Sequence, residues 1–332
     1  MAKIVEWDDD RIGQRLRLRN FRVFFAVVQA GSLAKAAAQL RVTQPAVSQV
    51  IAALEHDLGA KLFDRSTRGV EPTIYGRALL ARGRAAFDEL RQGIRDMESL
   101  ADPGAGEVRI GATTATTDTL LPHFVRRFSE QYPRVVVHVD DTPRPALDLS
   151  GLRDRKFDLV MGRLDHGSLA DVNVETLFHD QLVIVAGAHN PWARRRKIDL
   201  AELIDEPWIL AEPNSWNHLR LAEAFDRRGL HPPKASLVAF SVTLRTYLLA
   251  NGPYLTFFPN SSVELNPNRH ALKRLPIDLP VQPPWPFAIL TLKHRTLSPV
   301  VERFIKCCRE VVAISITRKP VSRRPKRNTN VA

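Results

Sequence analysis

The chain has 332 residues, enough for two or three domains, and its 44% apolar and 25% charged residues are ordinary for a soluble globular protein. No apolar run reaches the roughly 18 residues needed to cross a bilayer. The acidic opening Met1 to Asp10 lacks the hydrophobic segment of a secretory signal, so the expected setting is cytoplasmic, without a membrane partner.

The net charge of +12 is uneven, and this limits what it implies. Residues 1–100 carry 16 Lys/Arg and 12 Asp/Glu, residues 101–302 carry 23 of each, and residues 303–332 carry nine against one. The excess therefore sits at the two ends of the chain. Between Arg11 and Arg68 ten Lys/Arg face three Asp/Glu, a basic balance that suits a polyanionic partner.

Phe21 to Thr73 reads as two short helices joined by a turn, a third helix with a small polar outer face, and a basic two-stranded wing. Gly31 can end the first helix in the left-handed conformation, and Ser32 can cap the second. Arg41-Val42 makes the turn, Thr43 caps the third helix, and Pro45 is tolerated in its first turn. Val47, Val50, Ile51, Leu54 and Leu58 recur at helical spacing and form one buried stripe. The opposite face carries Pro45, Gln49, Ala52 and His56, flanked by Gln44 and Ser48. Small and amide side chains suit entry into a DNA major groove, where Gln bonds adenine bidentately. Lys61, Arg65 and Arg68 in the wing are expected at phosphates or the minor groove. The alternative is a helical hairpin packed inside a larger core.

After Thr73 a long helix is expected to end near Asp102-Pro103-Gly104. Gly76, Leu80, Gly83, Phe87, Leu90, Ile94 and Met97 recur at alternating spacings of four and three, the pattern of a coiled-coil seam. A single chain offers no second copy of that seam, so a homodimer is the natural partner; packing on the chain's own core is the other possibility.

From Glu107 strands and helices alternate, which implies α/β architecture with mostly parallel sheets. Strands are expected at 108–111, 135–139, 157–162, 182–185, 208–210, 237–240, 254–258 and 287–292. Helices are expected at 120–132, 147–155, 216–228, 242–250 and 299–313. The tail from Thr317 to Ala332, with Arg318, Lys319, Arg323, Arg324, Lys326 and Arg327 and two prolines, has the composition of a disordered segment. It is either simply solvated or adds salt-screened attraction to DNA.

Ligands of α/β sheets sit beyond the carboxyl ends of strands. The run Thr113-Thr114-Ala115-Thr116-Thr117 follows the first such strand and offers hydroxyls to an anion or a hydroxylated ligand; it could equally be a threonine-rich helix entry. Thr142, Pro143 and Arg144 follow the second strand and Arg163 the third. Either arginine could pair with a carboxylate or phosphate. Asn214, Ser215 and Asn217 precede one helix, and Ser241 and Thr243 bracket the start of another.

The adjacent Cys307 and Cys308 give neither a disulfide nor a Cys-x-x-Cys metal pair and read as core residues. No His-Glu-x-x-His, Gly-x-Ser-x-Gly or phosphate-loop pattern occurs among the residues. No catalysis, no cofactor and no metal are therefore expected.

Residues 18–77 resemble the winged helix-turn-helix of LysR-type transcriptional regulators. Thr43 to Ser48, Leu54-Glu55 and Leu62-Phe63-Asp64-Arg65 carry the likeness, which continues to about residue 313. The resemblance implies a DNA-binding domain over 16–75, a dimerising linker helix over 76–104 and an effector-binding domain over 105–315. The last would hold two Rossmann-like subdomains similar to periplasmic binding proteins (107–180 plus 283–315, and 181–282), followed by the tail 316–332. Ser32, Thr43, Gln44, Pro45, Ser48, Gln49, Lys61, Arg65 and Arg68 would serve DNA. Thr113, Thr114, Thr116, Thr142, Arg144, Arg163, Ser215, Asn217, Ser241 and Thr243 would serve an effector.

The implied partners are operator DNA, a small-molecule effector (a sugar, an aromatic or an organic acid metabolite), RNA polymerase, and further copies of the chain in a homodimer or homotetramer. Three departures stand out. Gln49 replaces a frequent Arg, and Ala115 replaces a frequent Ser or Thr. Asn251-Gly252-Pro253-Tyr254-Leu255-Thr256 replaces a glycine-rich turn, and resembles a subgroup associated with sugars or aromatic acids. The rival readings are a solute-sensing module whose N-terminal helices make protein contacts, and a ligand-free architectural DNA binder.

Overall fold

A computed structural model describes residues 12, 15–66, 69–102, 104–142, 149–164, 169–213, 215–277, 279 and 284–315. Pro143, Arg144, Asn214, Arg68 and the basic tail lie outside them, as do the side chains of Arg65 and Thr142. The chain divides into two compact units, Met1–Arg91 and Gln92–Ala332.

The first unit holds α1 (Leu18–Ala30), α2 (Leu33–Leu40), α3 (Gln44–Leu58) and a hairpin of β1 (Phe63–Ser66) and β2 (Gly69–Pro72). Its core joins Phe24 and Val27 of α1, Ala36 and Ala37 of α2, Val47, Ile51 and Leu54 of α3, and Leu62 and Phe63 at the wing. The alanines bring α2 close to its neighbours, as small side chains must where three helices converge. Gly31 ends α1 at φ 61°, and its carbonyl accepts from Val70 N–H at 3.0 Å, tying the wing back to the first turn. Gly69, opposite that carbonyl, has φ 130°, and a Cβ there would sit 2.9 Å from Gly31 O. Only glycine fits both constraints. On α3 the stripe is narrower than its spacing implies: Val47, Ile51 and Leu54 are buried, while Val50 and Leu58 are half-buried.

The long helix α4 (Ile74–Ala101) starts where Thr73 Oγ1 accepts from Gly76 N–H at 3.1 Å. Here the expected seam splits in two. A Cβ on Gly76 would lie 2.1 Å from Leu62 O, and one on Gly83 would lie 3.0 Å from the Phe21 ring. Phe87 meets Phe25 edge-on at 5.3 Å. The first half of the seam therefore packs on the chain's own α1 and wing. Leu90, Ile94, Met97 and Leu100, by contrast, are 50%, 58%, 72% and 83% exposed.

The second unit contains two five-stranded sheets. The first orders β4 (Arg134–Thr142), β3 (Ala105–Thr113), β5 (Leu159–Arg163), β12 (Trp285–Leu292) and β6 (Val172–Asp180). The second orders β11 (Leu272–Arg274), β7 (Leu182–Gly187), β10 (Leu255–Pro259), β8 (Trp208–Leu210) and β9 (Ala235–Val238). Four of the eight pairings are parallel and four antiparallel. That corrects the expectation of mostly parallel sheets. The chain passes between the sheets from β6 to β7 and returns before β12, and strands adjoining those crossings run against their neighbours.

Helices α5 (Thr114–Thr119), α6 (Leu121–Gln131), α7 (Ser150–Arg153) and α11 (Pro299–Ser315) accompany the first sheet; α8 (Trp216–Asp226), α9 (Val242–Asn251) and α10 (Asn260–Glu264) accompany the second. Phe124 and Phe128 of α6 and Phe304, Cys307 and Cys308 of α11 close over β3. Burial pushes the Cys307 thiol up to about 11, consistent with a packing role for both cysteines. β9 lies two residues earlier than its sequence pattern suggests, because Trp208–Leu210 pairs with Ala235–Val238 and the chain then turns at Ser241. The expected helix over 147–155 is described only as the four residues of α7.

Candidate functional site

At the N-terminal unit the site is a helix face. Thr43 Oγ1 accepts from Ala46 N–H at 3.4 Å and Ser32 Oγ from Lys35 N–H at 3.5 Å, so both hydroxyls act first as caps. Arg41, at φ 56°, turns α2 into α3. With Val47, Ile51 and Leu54 turned inward, Gln44, Pro45, Gln49, Ala52 and His56 are exposed and Ser48 is half-exposed. Nothing in the unit covers that polar face.

The wing is held by a residue whose role sequence spacing does not disclose. Glu55, on the buried side of α3, accepts from Leu62 N–H at 2.8 Å, Phe63 N–H at 3.3 Å and Lys61 Nζ at 2.8 Å. Lys61 is thus not the uncommitted cation its position suggests. Its side chain is 79% exposed, but its ammonium is shared with Glu55.

In the C-terminal unit a cavity of about 70 Å³ opens between the two sheet lobes. Thr113, Ala115, Thr116 and Arg163 reach it from the first lobe; Asn217, Pro259, Ser261 and Ser262 reach it from the second; Asp180, Trp285 and Phe287 come from the strands leading into and out of the crossings. Thr113 and Thr116 hydroxyls bond each other at 3.0 Å. The Arg163 guanidinium lies 3.8 Å over the Trp216 ring and donates to Asn217 Oδ1 at 3.5 Å. Trp216 in turn meets Trp285 edge-on at 4.9 Å. Asp180 accepts from Gln181 N–H at 2.8 Å and Ser261 N–H at 3.2 Å through Oδ1, and from the Ser261 hydroxyl through Oδ2. Burial raises its carboxyl above the usual range despite those bonds.

Two further contacts join the lobes: Thr243 Oγ1 to Asp118 Oδ2 at 3.4 Å and His123 Nε2 with Leu265 O at 2.8 Å. Burial lifts the Asp118 carboxyl, and nearby Asp141 adds to the shift.

Of the residues singled out in sequence, Thr113, Thr116, Arg163 and Asn217 line the cavity. Thr114 does not; its hydroxyl is bonded to Asp141 at 2.9 Å. Ser215 and Ser241 cap α8 and α9, accepting from His218 and Leu244 N–H. Thr243 stands on the rim, at Asp118. Asp180, Ser261, Ser262, Trp285 and Phe287 carry no motif that marks them. The one available signal is position, at the ends of strands that pass between lobes.

Comparison with known proteins gives this geometry a family. A profile described as the LysR substrate binding domain matches residues 101–313, and one described as a bacterial regulatory helix-turn-helix protein of the lysR family matches residues 18–77. The chain belongs to the LysR family. It is a DNA-binding transcriptional regulator with an effector-binding domain, not an enzyme.

This LysR-type regulator is 28% identical to the HTH-type transcriptional regulator GbpR of Azospirillum brasilense, over 86% of the chain and 83% of that relative. It is 31% identical to the RuBisCO operon transcriptional regulator of Allochromatium vinosum, over 64% of the chain and 69% of that protein. In fold it matches full-length OxyR C199D of Pseudomonas aeruginosa with a TM-score of 0.60 at 20% identity, covering 93% of the chain and 99% of that structure. Full-length CbnR in complex with its target DNA matches with a TM-score of 0.58 at 20% identity, covering 89% and 99%. No helix among the described residues is long and apolar enough to cross a membrane.

Proposed function

We propose that this regulator works in the cytoplasm as a homodimer or a tetramer built from dimers. Residues 16–75 bind DNA, 76–104 dimerise and 105–315 sense the effector. The observation that carries the DNA reading is the uncovered face of α3, with Gln44, Ser48 and Gln49 outward over a buried Val47–Ile51–Leu54 stripe. Gln44 and Ser48 then meet base edges, while Lys61, Arg65 and Arg68 approach phosphates. The exposed Leu90, Ile94 and Met97 supply the dimer contact, and two-fold symmetry fits a palindromic operator. RNA polymerase is the downstream partner.

Leu90→Asp with Ile94→Asp places like charges in that contact, and light scattering is expected to report monomers. An intact oligomer would assign dimerisation to another surface.

The effector occupies the cleft, against Thr113, Thr116, Arg163 and Asn217. It shifts DNA geometry only through its preference for one arrangement of the assembly. Ala115→Leu fills the cavity, and Thr113→Val removes one hydroxyl while keeping the side chain's size. Losing a hydrogen bond to a charged ligand costs about 1.5–3 kcal/mol. Both variants are expected to footprint the operator like the wild type, yet to lose the growth-dependent change in a reporter driven by it. A normal response from both would place the effector elsewhere.

A further inference from the structure

We infer that the cavity is built for a small carboxylate anion and discriminates against sugars and other polyols, an inference that rests on the cleft being the effector site. The lining is rich in donors and short of acceptors. Asp180 is its only carboxylate, and both oxygens are already engaged by Gln181 and Ser261. Asn217 Oδ1 accepts from Arg163. Thr113 and Thr116 bond each other, so whichever donates, one hydroxyl hydrogen of the pair remains to point at a ligand. Ser262, 2% exposed, adds another hydroxyl. A polyol hydroxyl must donate as well as accept, and this lining offers its donors little. A carboxylate only accepts, and the guanidinium fork of Arg163 matches it.

Stacking on Trp216 holds that fork in place without a carboxylate neighbour among the lining residues other than Asp180. Trp285, Phe287, Leu120 and Pro259 make the rest of the wall apolar and suit a short hydrocarbon end. At about 70 Å³ the space is several times what one water needs, roughly 10–15 Å³, and far below the ~300–1,000 Å³ of drug-sized sites. In this closed form it takes an acid of a few carbons.

The test uses the full-length chain, with acetate and propionate as anionic probes, and propionamide and glycerol as neutral ones at equal concentration and ionic strength. Binding is read by titration calorimetry and by tryptophan fluorescence. Propionate is expected to bind, with the neutral probes at least about tenfold weaker, and Arg163→Gln is expected to weaken propionate by a similar factor. Arg163→Lys, which keeps the charge but loses the fork, should fall between.

Equal binding of propionamide or glycerol, unchanged propionate binding in Arg163→Gln, or no binding of either acid would overturn the inference. The two levels of the reading separate through Ala115→Leu. If glycerol binds and that variant abolishes it, the cleft stands and the carboxylate class falls. If propionate binds Ala115→Leu as well as the wild type, the cleft itself falls.

Discussion

Asp158→Ala is expected to destabilise the C-terminal unit by about 3–5 kcal/mol, the cost of breaking a buried ion pair from one side. Asp158 and Arg295 have side chains 3% and 2% exposed, with Oδ1 accepting from Arg295 Nη2 at 2.9 Å. Arg95, on the C-terminal part of α4, reaches the same oxygen at 3.3 Å, and Arg109 N–H reaches Oδ2 at 2.8 Å. One carboxylate thus ties the end of the long helix, the first strand and the turn after β12. Its loss leaves a desolvated guanidinium and a backbone donor unsatisfied. In a unit of this size the change corresponds to a fall in midpoint of roughly 6–20 °C. Arg153→Ala is the control: its Asp171 pair is 43% and 46% exposed, so its loss should cost under about 1 kcal/mol. Urea melts of the two variants that coincide would remove Asp158 as the organiser of this lobe.

Glu55→Ala is expected to loosen the wing and reduce DNA affinity without touching the polar face of α3. The carboxylate is 6% exposed and satisfies two N–H groups where the chain enters β1. Leaving a buried donor unpaired costs about 1–3 kcal/mol, so the first unit should lose about 2–4 kcal/mol. Glu55→Gln keeps an acceptor oxygen and should recover much of that, while giving up the Lys61 contact. Hydrogen exchange at Leu62 and Phe63 gives the most local measure. Protection equal to the wild type in Glu55→Ala would show that the hairpin needs no such anchor.

How much of this was legible in sequence follows from how local each feature is. The caps at Ser32 and Thr43 and the glycine stop at Gly31 depend on neighbours within three or four residues, and the structure places them as the sequence implies. Glu55 sits beside Leu54 with no local sign of burial, because its partners are seven and eight residues on, across a turn. The seam on α4 has one period along its length, yet α1 covers only its beginning; periodicity reports a face, not what covers it. β6 was missed because an edge strand reading Val-Asn-Val-Glu-Thr carries few consecutive apolar residues, and its antiparallel pairing with β12 is set by a segment more than a hundred residues away. The cleft was half legible. Thr113, Thr116 and Arg163 follow strands, as ligand-facing residues of α/β sheets do. Asp180, Ser261 and Trp285 reach the same space only because the chain crosses between lobes twice.

The most direct test is an anisotropy titration of the wild type and Gln44→Ala on duplex from upstream of the regulator's own coding region and on a random duplex, at fixed salt. The expected result is tighter wild-type binding to the upstream duplex. In Gln44→Ala that preference should shrink by roughly 1–3 kcal/mol, with affinity for random DNA little changed. An undiminished preference in Gln44→Ala, or no preference in the wild type, would contradict the assignment of the outward face of α3 to base reading.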